Sequence, residues 1–230
     1  MALPILHIIG AVLNTYLLWY DQNYVDVPFK AGLDLYPFRG RVLFLTLWNF
    51  VLQAIYMWIA FANDVFGTND PVPKNPPTIR KIKDTLFALA FPMGVYVSVA
   101  FWGVYAVDKD LIFPPPVEKA YPPWINHPLH TFVSIFMIIE MLTSDVTYPS
   151  RKVGLAITNT FIFSYLGFLF LVNSQTGEWV YPVLDEMNWP ERIFFMAGSI
   201  VIGHGFYFLG EKFNRRLNPS NTKVIGKKKA

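Results

Sequence analysis

Polar side chains that stand alone inside oily stretches are where this chain could do chemistry. In hydrocarbon each such group is costly, so it marks either a site or a structural pair. One set is FLTLWNFVLQ at 44–53, where Thr46, Asn49 and Gln53 follow at i, i+3 and i+7 and share one helix face. A second is NHPLH at 126–130, with Asn126, His127 and His130 ahead of an apolar run that ends in Glu140. Asn159 and His204 lie in later runs. An imidazole can move a proton or ligate a metal, and a hydroxyl or amide can donate and accept hydrogen bonds. Each residue also has a structural alternative. Thr46 alone could bond its i−4 carbonyl, and Asn126 could cap a helix with Pro128 in its first turn. Glu140 and His204 could neutralise each other as an intramembrane pair.

Several chemistries have no residues to run on. The chain has no cysteine, which removes thiolate nucleophiles, thiolate metal sites and disulfides. Neither G-x-S-x-G nor H-E-x-x-H occurs, and no glycine-rich phosphate loop is present. The four histidines, His7, His127, His130 and His204, are too few for the histidine boxes of membrane di-iron enzymes. His127 and His130 stand at i, i+3 without a nearby carboxylate to complete a metal shell. We therefore expect no metal and no cofactor. The basic tail is expected to face lipid rather than nucleic acid.

The elements that must position these residues are long and apolar. Charged residues make up 15% of the chain and apolar residues 53%, with a mean hydropathy of +0.35. A soluble domain carries about 25% charged residues, and a bilayer-spanning helix needs about 20 apolar ones. Six runs qualify, near 3–20, 42–61, 85–106, 126–142, 153–173 and 192–209. They leave no polar face for water. The expected fold is an all-α, polytopic membrane protein: one six-helix bundle over 1–230, with a basic tail at 211–230 and no soluble appendage. Alternate loops and tails hold thirteen and six basic residues, the larger set including the C-terminal tail. The positive-inside rule then puts both termini in the cytoplasm. The final KKKA is similar to a dilysine address for the endoplasmic reticulum.

Depth follows from helical rise. Thr46 stands five residues past Arg41, roughly 8 Å in, and His130 six past Trp124, roughly 9 Å in. Their two runs point the same way in a six-span topology, so hydroxyl and imidazole reach similar depth near the non-cytoplasmic face. Glu140, Asn159 and His204 form a second polar group toward the other half.

The whole chain resembles the family of androgen-induced and androgen-dependent TFPI-regulating proteins. The residues that carry the likeness are GRVLFLTLWNFVLQAIY (40–56), WINHPLHTFVSIFMIIE (124–140), YPSR (148–151), GEWVYPVL (177–184) and FYFLGEKFN (206–214). The resemblance implies an intramembrane threonine hydrolase of fatty acid esters of hydroxy fatty acids, lipids in which a branching ester joins two acyl chains. Its nucleophile would be Thr46 and its histidine His130. Pro128 departs from the pattern and could shift the aim of His130. A threonine hydroxyl needs a base to accept its proton, and an imidazole can then return that proton to the leaving group. Oxyanion donors would come from Asn49, Gln53 or Asn126. No third member beside His130 is evident from sequence. The ester would enter laterally from bilayer lipid, and water from the surface. Two other functions stay open: a small transporter or proton-coupled carrier using Glu140, Asn159 and His204, and a non-catalytic regulator of the endoplasmic reticulum membrane.

Overall fold

The computed structural model describes residues 2–29, 32–71 and 73–218. Among them every regular element is helical, and six segments are long and apolar enough to cross a bilayer. The chain is thus an integral membrane protein of the all-α class. The long helices are α1 (Ala2–Tyr24), α2 (Leu45–Phe66), α3 (Thr78–Val107), α7 (Arg151–Thr176) and α9 (Trp189–Leu217). Between α3 and α7 lie the short α4 (Pro115–Ala120), α5 (Pro123–His127) and α6 (Val133–Thr143), and α8 (Pro182–Asp185) precedes α9. Lys30, the tail lysines from 223 onward and the KKKA ending fall outside the described residues.

Most helices run further than their apolar runs predict. α3 begins at Thr78 rather than near 85, and α9 continues to Leu217 rather than 209. The added turns contain charges that the structure pairs rather than leaves in water. Arg80 bonds Asp84 at 2.9 Å, and Lys83 meets Glu140 at 3.0 Å, each cation almost wholly buried. Two of the loop cations in the topology count are therefore spent on internal partners. On α9, Glu211 binds Arg151 of α7 and Arg215 one turn on, both at 2.7 Å. Caps set other ends. Asn188 and Glu191 form a reciprocal capping box at the start of α9, and Gly177 closes α7 with φ 76°.

The fourth span is the exception. It is expected over 126–142, but starts at Pro123 and is built of three pieces: α5, a π-helical turn over Pro128–Phe132, and α6. Pro128 supplies the cause. It has no N–H to bond the carbonyl four residues back, and its ring crowds that carbonyl. The helix re-registers through a wider turn, a device frequent at functional sites.

α3 is the hub, packing on α2, α6, α7 and α9, while α1 packs on α2. Its cluster with them is rich in aromatics and methionines, including Tyr56, Met57, Phe87, Phe91 and Met137. Large side chains such as Ile5, Ile9, Ile138, Phe194 and Val201 are exposed, as lipid-facing residues must be. Close approach sets α7 against α9: a Cβ on Gly154 would overlap the Tyr207 hydroxyl and stand 2.8 Å from the ring. Tyr207 is fully buried and cannot swing away. Gly154→Val is expected to destabilise the bundle by about 1–3 kcal/mol, read as a lower unfolding temperature in detergent, with Gly167→Val, whose Cβ would meet nothing, as the neutral control.

Candidate functional site

Thr46 stands on the second residue of α2, where the start of the helix leaves backbone N–H groups without intrahelical partners. Other threonines, Thr15, Thr143, Thr158 and Thr176, bond their own i−4 carbonyls. Thr46 does not. Its Oγ1 lies 3.2 Å from Nε2 of His130 on the π-helical turn. The two side chains matched in depth thus touch, across 84 residues of sequence.

The imidazole is held on every side. Its Nδ1 lies 3.1 Å from the Asn126 carbonyl and 2.8 Å from Asn126 Oδ1. A carbonyl can only accept, so Nδ1 carries the proton and Nε2 is left as an acceptor toward the threonine. The Phe101 ring stacks on it with centroids 3.6 Å apart and planes 12° from parallel. The π turn frees the His130 carbonyl, and Trp102 Nε1 donates to it at 3.2 Å and to Thr131 Oγ1 at 3.0 Å. Trp102 also stacks on His127, whose Nδ1 reaches Thr131 at 3.3 Å. With Pro128 in place His130 still lies 3.2 Å from Thr46, and the turn that Pro128 provokes is braced by Trp102.

Asn126 is not the cap expected of it. It lies inside α5 and serves His130 from one turn away. Sequence reasoning did not place it beside His130 Nδ1, and the i, i+4 spacing was the available signal. Asn49 and Gln53 stay buried below Thr46 and bond each other at 3.1 Å, with Gln53 also donating to the Ala90 carbonyl at 2.8 Å. Neither lines a cavity at the threonine.

Two tyrosines do. Tyr165 and Tyr181 cap α2 from outside: the Leu45 N–H donates to both hydroxyls, at 3.0 and 2.9 Å. The Tyr165 O–H donates to the Leu43 carbonyl at 2.8 Å. With that proton committed, the 2.9 Å contact between the two phenols is a donation from Tyr181. The Tyr181 proton is the one free to turn elsewhere. Burial pushes this loop phenol up to about 12, so it stays a donor near neutral pH.

Two cavities meet at the threonine. One, of about 150 Å³, runs among α3, α7 and α9 past Met93, Val97, Phe161 and Gly203 and carries no charged side chain. The other, of about 80 Å³, lies toward α1 and the 21–41 connection and is lined by Asp21, Arg41, Asn126 and His130 among apolar residues. Thr46, Phe101, Ile112 and Tyr181 line both.

The second polar group divides. His204 Nε2 meets the Asn159 side-chain amide at 2.7 Å, while its Nδ1 donates to the Ile200 carbonyl at 2.7 Å. Glu140 is not with them, which corrects the expected Glu140–His204 pair. Its Oε2 meets His7 Nε2 at 2.7 Å, and its Oε1 accepts from Tyr56 at 2.7 Å and pairs with Lys83 at 3.0 Å. His7 Nδ1 reaches Asp64 at 2.6 Å, and Lys83 donates to Ser144 at 2.7 Å. This network ties α1, α2, α3 and α6 together. Nothing in the later sequence runs pointed to His7 on the first helix, where it faces carboxylates from both nitrogens. Among the described residues no group of histidines and carboxylates is arranged to hold a metal.

Comparison with known proteins adds kinship. A family profile described as FAR-17a/AIG1-like protein matches residues 3–215. The androgen-dependent TFPI-regulating protein of Mesocricetus auratus is 34% identical, over 92% of this chain and 93% of its own. The androgen-induced gene 1 protein of Homo sapiens is 35% identical over 77% of each chain. No solved structure matches.

Proposed function

This chain belongs to the FAR-17a/AIG1-like family, and from that premise and its geometry we propose that it is an intramembrane hydrolase of fatty acid esters of hydroxy fatty acids. The observation that carries the reading is the 3.2 Å contact between Thr46 Oγ1 and His130 Nε2 at the junction of two cavities. In the first step His130 Nε2 takes the hydroxyl proton as Oγ1 attacks the ester carbonyl. Asn126 holds the imidazole in the accepting tautomer and takes the strain of its transient charge through Nδ1. This is the role of the orienting third member in Ser, Cys and Thr hydrolases. Collapse breaks the bond to the branching oxygen, and the Nε2 proton passes to the departing hydroxy acid. Water, activated by the same nitrogen, then cleaves the acyl-threonine and releases the fatty acid.

The developing oxyanion would receive the Tyr181 O–H, with the positive end of the α2 dipole behind it. Tyr181→Phe is expected to lower kcat by about 10²-fold with little change in KM. Tyr165 still accepts from Leu45 in that variant, so the start of α2 keeps a partner. An unchanged kcat would remove Tyr181 from the reaction.

The site lies at the end of the bundle opposite the C-terminal end of α9. With both termini cytoplasmic, as the distribution of basic residues favours, it faces the lumen of the endoplasmic reticulum. Labelling by a fluorophosphonate probe tests the assignment: the wild type reacts, and Thr46→Ala does not. Equal labelling of both sinks it.

A further inference from the structure

The smaller cavity contains a charged pair that ester cleavage itself does not use. Arg41 follows a turn in which Phe38, Arg39 and Gly40 all have positive φ, at 56°, 53° and 77°. That conformation is uncommon for a residue as bulky as phenylalanine. It delivers a guanidinium that is only 3% exposed into the wall of the cavity, beneath the Phe29 and Tyr121 rings at 5.7 and 5.8 Å. Arg41 Nε donates to Asp21 Oδ2 at 3.0 Å and Nη2 to the Val25 carbonyl at 2.8 Å. Nη1 has one long contact, 3.4 Å to the Arg39 carbonyl. Among the described residues, two of its five N–H groups have no carboxylate or carbonyl partner, and the Tyr121 hydroxyl in the same wall lies close to both Arg41 and Asp21. Asp21 is 6% exposed; its Oδ2 also accepts from Gln22 at 3.1 Å, and among the described residues its Oδ1 has no hydrogen-bond partner. Burying such an atom unpaired is costly. A guanidinium with spare donors and a carboxylate with a spare acceptor thus line the same cavity as His130.

One ligand chemistry answers both. A carboxyl group accepts from the Arg41 N–H groups through one oxygen and shares a proton with Asp21 Oδ1 through the other. The reaction geometry then says which arm of the ester carries it. The general acid must protonate the leaving oxygen, and His130 lines the smaller cavity only. The alcohol portion therefore lies there, and the acyl portion in the larger, uncharged cavity. In an ester of a hydroxy fatty acid, the alcohol portion is the one with a free carboxyl. Arg41 opens a 3₁₀ turn over Arg41–Leu43, and Thr46 follows past an extended Phe44 on the first turn of α2, both lining the smaller cavity. The span between them is one that several methylenes can bridge.

We propose that Asp21 and Arg41 form a carboxyl-binding site that receives the free acid of the hydroxy fatty acid arm and fixes the direction in which the ester enters. The inference rests on the hydrolase reading above. Its test compares the full chain in lipid nanodiscs on a fatty acid ester of a hydroxy fatty acid and on the same lipid with its free carboxyl methylated, following release of the fatty acid from the branch. The wild type should favour the free acid by about tenfold or more in kcat/KM, the usual scale of charge-assisted hydrogen bonds. The neutral double variant Asp21→Asn/Arg41→Gln should bring the ratio of the two close to one. Because the readout is a ratio, a general loss of folded protein does not imitate it. Equal kcat/KM of the wild type on both lipids overturns the carboxyl site and leaves the hydrolase intact, as does a double variant that keeps the preference. Cleavage of neither lipid removes both.

Discussion

Thr46→Ala is expected to lower ester turnover by roughly 10³-fold or more, to the background of membranes without the protein. The alanine keeps Cβ and the helix, so the loss reports the hydroxyl alone. His130→Ala should fall as far, because without an acceptor at Nε2 the threonine proton has nowhere to go. The double variant should be no worse than either single one, since groups acting as a unit are strongly non-additive. Thr46→Ser keeps a hydroxyl at the same atom and should retain turnover and probe labelling. Expression and unfolding temperature should stay close to wild type in the Thr46 variants, because Thr46 is half-buried and donates no long-range structural bond besides that to His130. Full turnover by Thr46→Ala would reject the nucleophile. Loss in Thr46→Ala with equal loss in Thr46→Ser would point to packing rather than chemistry.

Asn126 gives a finer view of the same machinery. It reaches Nδ1 of His130, the nitrogen that faces away from the threonine. Its backbone carbonyl makes that contact as well as its side chain, so the tautomer survives loss of the amide. A backbone contact of this kind is invisible in side-chain identity, which explains why reading residue types at 126–130 suggested a cap and not a partner.

How far the architecture was legible can be argued from similar particulars. Six apolar runs sufficed for six spans, because backbone hydrogen bonding in lipid leaves a chain of this composition few choices. Their ends were not legible, because Arg80, Lys83 and Glu211 look like water-facing charges until their partners are known. The common depth of Thr46 and His130 followed from counting residues along two co-directional helices. Their contact did not, since depth says nothing about which face a side chain presents. Tyr165 and Tyr181 were out of reach altogether. They act on Leu45 from 120 and 136 residues away, and Tyr181 comes from a connection rather than a span. The same distance in sequence hid His7, 133 residues from Glu140. Local pattern recovers elements; it does not recover pairings that only the packed bundle creates.

Those pairings lead to the second large effect. Glu140→Ala is expected to cost about 3–5 kcal/mol of stability, the scale of removing one member of a buried ion pair. The carboxylate is fully buried and meets His7, Tyr56 and Lys83 at once. Its removal leaves an ammonium and an imidazole facing a void, with Asp64 and Ser144 as their remaining partners. Glu140→Gln should cost less, since an amide oxygen still accepts from Tyr56 or Lys83. His204→Ala should cost least, because its ring pairs with one amide and one carbonyl and is only half-buried. Unfolding of detergent-solubilised protein, followed by temperature, measures all three. The order also separates structure from transport. A carrier that moved protons through Glu140 would lose flux in Glu140→Gln at little cost in stability. A lock between α1, α2, α3 and α6 would lose stability in proportion to the partners left unpaired, and the folded remainder would still cleave ester, because none of these residues lines the cavities at Thr46.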